Sequence, residues 1–587
     1  MSENNELEQQ KQGNERPLAD GLALDSALQQ AQAIFDNAPG TGSGSVAAAG
    51  FASDQLAAMS EEEASGGPTE DQTSSDVDTD AVPHHYSRGD RLRQSYQQDE
   101  DERPSTPWGI SLLMSCLIVA SSFLLLAFGF TMTFAQEHNL YAGWAQTQGA
   151  DAYRYFFGTD GFLFYLTSWL GSILGGKAYL FALAQIPFLL FSGRNLYRLA
   201  YQVTGRNQEA RQLVPLFYLL LAFLAFGGFY STLFVLPILL WAADFQLENL
   251  QEQKSGRRFL VYGMLAATAF LLAPTSTVLF YLSSTLVLAL YNMAHKRTAR
   301  GTYELFAALT GFSLAFFPLG YWTVVNGTFG YAVDQVLYPI TSLALNHANL
   351  LENALTFGLL TLALGFATAL VQSFLAKPKE GAAVLAWTAR LAIVLGMPLL
   401  IFSDQSGTDK ILILLPYLFF LLIVGVGKGP EASNAEEGAS EETPSLLSRY
   451  LKANLFAPVL ALFFVIAYPV TNQYLISRSA QTARNQAASY VKKNSKQTDT
   501  IYLWDTDASL YRKTKRLAGS SILLPTEYTG TGKNRVKVER DLVFARPRYI
   551  LVNGSVAKNA EVDRMIKESY KEVQLDKMGA FKLYEEK

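Results

Sequence analysis

Three carboxylates, Glu137, Asp151 and Asp160, fall within one stretch, EHNLYAGWAQTQGADAYRYFFGTDGFLFYLTSWLGSILGGK, where they alternate with Tyr153, Tyr155, Phe156, Phe157, Tyr165 and Trp169. The stretch follows the first long apolar block, so its acids are expected at headgroup depth, Glu137 at the water-facing mouth of a membrane helix. A carboxylate held there suits general-base catalysis on a lipid-borne substrate. It would take the proton of an acceptor hydroxyl as that oxygen attacks an anomeric carbon, a contribution of about 100- to 10,000-fold. Cationic groups would neutralise the departing phosphate, and Arg154, Lys177 and Lys410 are the candidates. The donor would be a sugar on a polyprenyl phosphate, whose tail stays in the bilayer, because nucleotide sugars are not available outside the cell. Glu137 is the first candidate for the base, Asp151 the second and Asp160 the third. The plainer alternatives are a solvated acid at a helix end and lysines that snorkel to the interface.

The elements that must position these groups are apolar blocks. A spanning helix needs about 20 mostly apolar residues, and about eleven blocks approach or meet that length. They are Trp108–Phe134, Ala178–Val203, Leu213–Gly227, Phe229–Trp241, Phe259–Ala273, Thr275–Met293, Leu305–Val325, Leu350–Leu375, Ala383–Phe402, Ile411–Val426 and Asn454–Val470. The breaks at Gly227-Gly228 and Pro274 leave open whether each flanking pair is two elements or one. Within the acidic stretch, Ala150–Phe157 and Phe162–Leu174 are expected as aromatic helices lying in the interface plane. Lys and Arg concentrate in alternate short connections, 192–212, 251–258, 295–300, 377–380 and 428–452. The positive-inside rule therefore places those loops and the N-terminus in the cytoplasm, with the 137–177 stretch and everything after Thr471 outside.

Residues 1–107 form an acidic, Ser- and Gly-rich tail expected to be disordered and cytoplasmic, open to a cytoplasmic partner. Within it, Leu18–Phe35 has helical spacing, and His84-His85 lacks further metal ligands nearby. Residues 108–470 are expected to form the transmembrane bundle. Residues 471–587 alternate short β-runs with amphipathic helices, which indicates a small α/β domain. The fold class expected is thus mainly α: a polytopic helical membrane bundle with a disordered tail and a small extracytoplasmic α/β domain. The net charge of -5 over 587 residues gives no reason to expect nucleic-acid binding. The single cysteine, Cys116, rules out an intrachain disulfide.

The segments GTDGFLFYLTSWLGSILGGKAY and DKILILLPYLFFLLIVGVG, and the C-terminal TDTIYLWDTDASLYRKTKRL with LVFARPRYILVNG, carry a resemblance. From Trp108 to Lys587 the chain is similar to the GT-C superfamily of membrane glycosyltransferases, of the protein mannosyltransferase and aminoarabinose transferase type. The resemblance implies a cell-membrane enzyme moving a sugar, with inversion, from a polyprenyl-phosphate donor to an envelope glycopolymer, glycolipid or protein. Two departures stand out. The family opens this loop with paired acids where this chain has Gln136-Glu137, and the family's proline near GTDGF is replaced around Asp160-Gly161. Either Glu137 serves alone, Asp151 supplies a second carboxylate, or activity has been lost. No cofactor is required by this chemistry, although dispersed carboxylates could hold a divalent metal cation through oxygen ligands. A non-catalytic assembly protein and a lipid or polysaccharide flippase are the rival readings. Sparse charge within the blocks speaks against transport of charged substrates, while Gln185 and Pro187 inside the second block speak slightly for it.

Overall fold

The computed structural model describes residues 106–587, except 176–177, 253–255, 346–348, 376–377, 379, 406, 427–445, 461–462, 464–466 and 468–470. The N-terminal tail, its Leu18–Phe35 and His84-His85 features, and Lys177 lie outside the described residues.

The apolar blocks fold into helices. Among the described residues, five are long and apolar enough to cross a membrane: Trp108–Phe128, Ser231–Glu252, Pro274–Ala294, Thr298–Val325 and Glu380–Ile401. A sixth span is added if Leu350–Ala363 and Phe366–Leu375, bent by 56° at their junction, are counted together. The remaining blocks give shorter or more polar helices, Gln185–Thr204, Asn207–Leu224, Gly256–Leu272 and Leu415–Val426. The chain is therefore a multi-pass membrane protein whose described helices reach at most six spans on length and composition, against the eleven blocks read from hydropathy. Both doubtful breaks separate distinct helices. At the first, Gly227 and Gly228 take φ of +84° and +67°; at the second, Pro274 opens its helix, where a missing N–H costs nothing.

Position in the bundle follows composition. The Ser231–Glu252 helix is 78% buried across its apolar window and packs on Gln185–Thr204. The Thr298–Val325 helix is 11% buried and packs chiefly on Gly256–Leu272, leaving Leu309, Phe317 and Val325 exposed. Such an outward apolar face suits lipid, which offers no hydrophobic drive to bury it.

The C-terminal segment carries four strands, β1 (Ile501–Trp504), β2 (Tyr549–Asn553), β3 (Tyr570–Val573) and β4 (Phe581–Glu586), in the order β1-β2-β4-β3. β1 and β2 pair in parallel, and β4 is antiparallel to both β2 and β3. Because strand side chains alternate between faces, Tyr502, Trp504, Ile550 and Val552 join Phe157, Tyr338 and Tyr528 in one apolar cluster. Leu503 and Leu551 face the other way, into the main core. Aromatic residues thus weld this segment to the connecting stretch.

Two local expectations are corrected. The first apolar block ends as a helix at Phe128, where Gly129 adopts φ of +64° and caps Leu125 O; a new helix, Phe134–Thr147, starts after it. Glu137 therefore lies in the first turn of that second helix rather than at the mouth of the first. Ala150–Phe157 is a compact turn rather than an interfacial helix, with Ala152 bridged to Phe156 and Tyr153 at φ of +66°. Its Tyr153 and Phe156 are fully buried against Tyr165. Of the aromatics that suggested a membrane surface, Tyr153, Phe156 and Phe157 are packed inside the protein, while Tyr155 is exposed.

Candidate active site

The Phe134–Thr147 helix opens with a capping box: Thr133 Oγ1 accepts from Gln136 N at 3.3 Å, and Gln136 Oε1 accepts from Thr133 N at 3.0 Å. The same Gln136 side chain donates through Nε2 to Phe226 O at 2.8 Å and Gly228 O at 3.0 Å. All its hydrogen-bonding capacity on these partners is used, and only an amide could serve, since a carboxylate has no N–H to give two carbonyls. Asn139 Nδ2 donates to Phe229 O at 2.9 Å, and Gln185 Oε1 accepts from Phe229 N at 2.9 Å. Three amides thus hold the 226–229 turn, which gives Gln185 a structural occupation. Glycine is required at 228, where a Cβ would lie 2.4 Å from Gln185 Oε1 and φ is positive.

One residue along, Glu137 is 2% exposed and receives both Nε and Nη2 of Arg512, at 2.9 and 2.8 Å. Arg512 comes from the short Ser509–Thr514 helix after β1. Burial opposes the Arg512 charge, but Glu137, followed by Asp507, more than restores it, so its pKa is raised. Behind it Arg484 grips Asp505 in a second bidentate pair, at 2.7 and 2.9 Å, and reaches Asp507 at 3.1 Å. This region fastens the start of the connecting stretch to the sheet-bearing segment.

Asp160 stands in a different setting. It lines a cavity of about 150 Å³ together with Asn139, Ser231, Gln405, Asp409, Lys410 and Tyr528. Ser231 Oγ donates to Asp160 Oδ1 at 2.5 Å. The backbone is fixed by Tyr153 OH donating to Asp160 O at 2.8 Å and by Asp160 N donating to Tyr165 OH at 3.3 Å. The next residue must be glycine, because Gly161 N donates to Leu272 O at 3.1 Å and a Cβ there would meet Leu271 O at 2.1 Å. Burial pushes the Asp160 carboxyl up to about 6, with Ser231 and Lys410 opposing the shift. Lys410 Nζ donates to Gln405 Oε1. Asp409 is buried and its pKa raised by that burial, against the pull of Lys410. Glu527, from the C-terminal segment, is pushed up to about 8 by burial, with Asp404 and Asp409 adding to the rise and Lys410 opposing it. Asp404 Oδ2 accepts from Tyr338 OH at 2.5 Å and from Gly530 N at 2.8 Å, which seats the 527–530 segment beside the cavity.

Of the residues singled out from sequence, Asp160 and Lys410 therefore share one cavity. Glu137 does not line it, although Ala135 and Asn139 of the same helix do. Asp151 is half-buried and Arg154 is exposed over the Tyr155 ring at 5.7 Å; neither lines the cavity. Sequence reasoning passed over Asp409, Gln405, Ser231, Glu527 and Tyr528. The Asp409-Lys410 pair carried the one available signal, an acid and a base together at the start of an apolar run. Among the described residues no group of three or more His, Cys, Asp or Glu is arranged to hold a metal ion.

The architecture is a helical membrane bundle with an acid-lined cavity beside a sheet-bearing segment. Over 81% of its length it is similar to a crystal structure of ArnT from Cupriavidus metallidurans bound to undecaprenyl phosphate, with 98% of that chain covered, a TM-score of 0.54 and 11% identity. The apo structure of the same ArnT matches over 80% of this chain and 97% of that one, with a TM-score of 0.48 and 11% identity. At this identity the likeness shows the fold. Comparison with curated protein sequences gives no match. Residues 98–478 match the family described as "Putative competence-induced protein Ccs4 N-terminal domain", and residues 481–587 match the Ccs4 C-terminal domain. The chain belongs to the competence-induced Ccs4 family.

Proposed function

We propose that this protein is a membrane glycosyltransferase that moves a sugar from a polyprenyl-phosphate donor to a cell-envelope glycopolymer, glycolipid or protein at the extracytoplasmic face. The observation that carries the reading is the cavity holding Asp160 and Lys410 at the helix ends of a GT-C-type bundle. Asp160 is the base: a carboxyl with pKa near 6 is largely ionised at neutral pH yet basic enough to take a hydroxyl proton. The acceptor oxygen attacks the anomeric carbon with inversion as the bond to the lipid phosphate breaks, and Lys410 meets the charge that develops on the phosphate. Glu527, protonated near neutral pH, sits on the 527–530 segment beside this cavity and adds no negative charge to it. Glu137 serves by holding the catalytic stretch to the C-terminal segment through Arg512. Residues 108–470 then form the transmembrane domain and 471–587 an extracytoplasmic α/β domain, with the N-terminus cytoplasmic, as the Lys and Arg bias of the short loops supports.

A second reading, a non-catalytic membrane assembly protein, draws on one observation: Gln136 and Glu137, where the GT-C resemblance expects paired acids, are wholly occupied by structural partners. Mass spectrometry of lipid-linked sugars and envelope glycans separates the two. Cells lacking the protein and cells carrying Asp160→Asn should both lose one sugar from the envelope and accumulate its polyprenyl-linked form. A normal glycan profile in the Asp160→Asn cells, with the protein present at the wild-type level, would leave the assembly reading standing.

A further inference from the structure

The Glu380–Ile401 helix reaches the Asp160 cavity at one end, through Leu399 and Leu400, and carries an arginine midway. Arg390 lies ten residues past Glu380, about 15 Å along the axis at ~1.5 Å per residue. It is 8% exposed. Its Nε donates to Ser373 Oγ at 3.2 Å and its Nη2 to Ser373 O at 2.6 Å, while the guanidinium lies 3.9 Å from the Phe374 ring centre and 4.5 Å from that of Trp387. Among the described residues no carboxylate forms an ion pair with it. A guanidinium has five N–H donors in all, and a lone charge within a span is unfavourable without a counter-charge.

Arg390 also lines a groove of about 700 Å³ whose remaining wall is largely apolar, Val287, Leu290, Leu391 and Val394 among it. Leu290 and Val394 are 66% and 65% exposed, so the groove opens sideways on the face turned to lipid. The one acid at its rim, Glu380, is already engaged: Tyr291 OH donates to its Oε2 at 3.0 Å, and His295 Nε2 stands 3.9 Å from its Oε1. What the groove offers is a cation without a counter-charge, aromatic walls around it and an apolar trough alongside. We propose that it binds an anionic glycerophospholipid, with the phosphate on Arg390 and an acyl chain along Leu290 and Val394. Charge complementarity favours this occupant over zwitterionic phosphatidylcholine, whose own quaternary ammonium already offsets its phosphate. The site is separate from the sugar-transfer cavity and does not depend on its activity.

The test uses the purified full chain in phosphatidylcholine nanodiscs with and without phosphatidylglycerol, read by native mass spectrometry of retained lipid and by thermal unfolding. Wild type should retain phosphatidylglycerol in preference to phosphatidylcholine and unfold at a higher temperature when it is present. Arg390→Gln should lower that retention ratio about fivefold, the factor corresponding to ~1 kcal/mol for one basic side chain facing anionic lipid. Val394→Trp fills the trough without touching the Arg390–Ser373 contacts. It should abolish retention while leaving the unfolding temperature in phosphatidylcholine unchanged, so an unstable Arg390→Gln protein does not decide the matter. Equal retention of the two lipids by wild type overturns the proposal. So does an Arg390→Gln protein that is destabilised equally in both lipids yet still keeps phosphatidylglycerol, which would make the arginine only a tie to the end of the Phe366–Leu375 helix.

Discussion

Glu137 and Asp160 belong to the same connecting stretch, and both are shielded from bulk water, yet they live in opposite electrostatic settings. Glu137 has a guanidinium placed on both its oxygens, and nothing about it is left for a substrate. Asp160 has one serine hydroxyl on one oxygen, further acids nearby and a cavity in front of it. The first arrangement is a matched ion pair with both oxygens engaged. The second leaves a carboxyl balanced between its two forms near neutral pH, which is what proton transfer needs. A buried carboxylate is therefore not in itself a sign of catalysis; what distinguishes the two is whether the partner is fixed or still to arrive.

The largest effect expected from breaking this contrast is on turnover. Asp160→Asn keeps the shape and a hydrogen bond to Ser231 but cannot accept the proton, so transfer from a polyprenyl-linked sugar should fall about 100- to 10,000-fold. The unfolding temperature of the purified protein should stay close to that of the wild type. Next in size is the fixed pair. Arg512→Ala leaves Glu137 buried without its counter-charge and should cost about 3–5 kcal/mol, read from chemical or thermal unfolding. The double variant Glu137→Gln with Arg512→Ala should recover part of that loss, because the stranded charge is gone; if the double variant is no better than Arg512→Ala alone, the pair is not coupled as its geometry implies. Smaller again is Gln136→Glu, which restores the acid that the GT-C resemblance expects. It should lower stability by about 1–3 kcal/mol by leaving the Phe226 and Gly228 carbonyls without their donor, and it should not raise turnover.

How much of this was legible beforehand differs between the two regions for a physical reason. The apolar blocks and their helical state came through because length and hydropathy are local properties of the chain. Of the eleven expected spans, the described helices match five or six on length and composition, and the Asn207–Leu224 and Gly256–Leu272 helices, of 18 and 17 residues, lie at the short end of what a crossing asks for. The Gly532–Ala545 helix buries Asn534, Val538 and Leu542 at helical spacing, while its Val536-Lys537-Val538-Glu539 alternates like a strand, so the local pattern points two ways. For the site, Asp160 and Lys410 could be named as chemically apt, but placing Asp160 ahead of Glu137 needs the knowledge that Arg512 lies against Glu137. Those two residues are brought together across most of the chain by tertiary packing, and no local spacing encodes that. Arg390 was overlooked for the same reason: in sequence it reads as one charge in an apolar run, and its contacts with Ser373 and Phe374 arise only in the folded packing.

The smallest effect concerns pH, and it tests whether the open region is as unmatched as it looks. Glu527 is held protonated by burial up to about pH 8, far above the ordinary value of 4.5. In the unfolded chain the same group ionises near that ordinary value. Between about pH 4.5 and 8 the folded protein therefore binds more protons than the unfolded one, and stability contributed by this group falls as pH rises through that window and levels off above it. Asp160 adds the same sign over a narrower range, from its ordinary 3.8 to about 6. Glu527→Gln should flatten the upper part of the curve, from about pH 6 to 8, and leave the lower part to Asp160. Turnover should respond on the same two groups: it needs Asp160 ionised and Glu527 protonated, so it should rise as pH passes about 6 and fall as pH passes about 8. Retention of the acidic limb in Asp160→Asn protein would mean that Asp409, the other buried acid of the cavity, takes the proton instead.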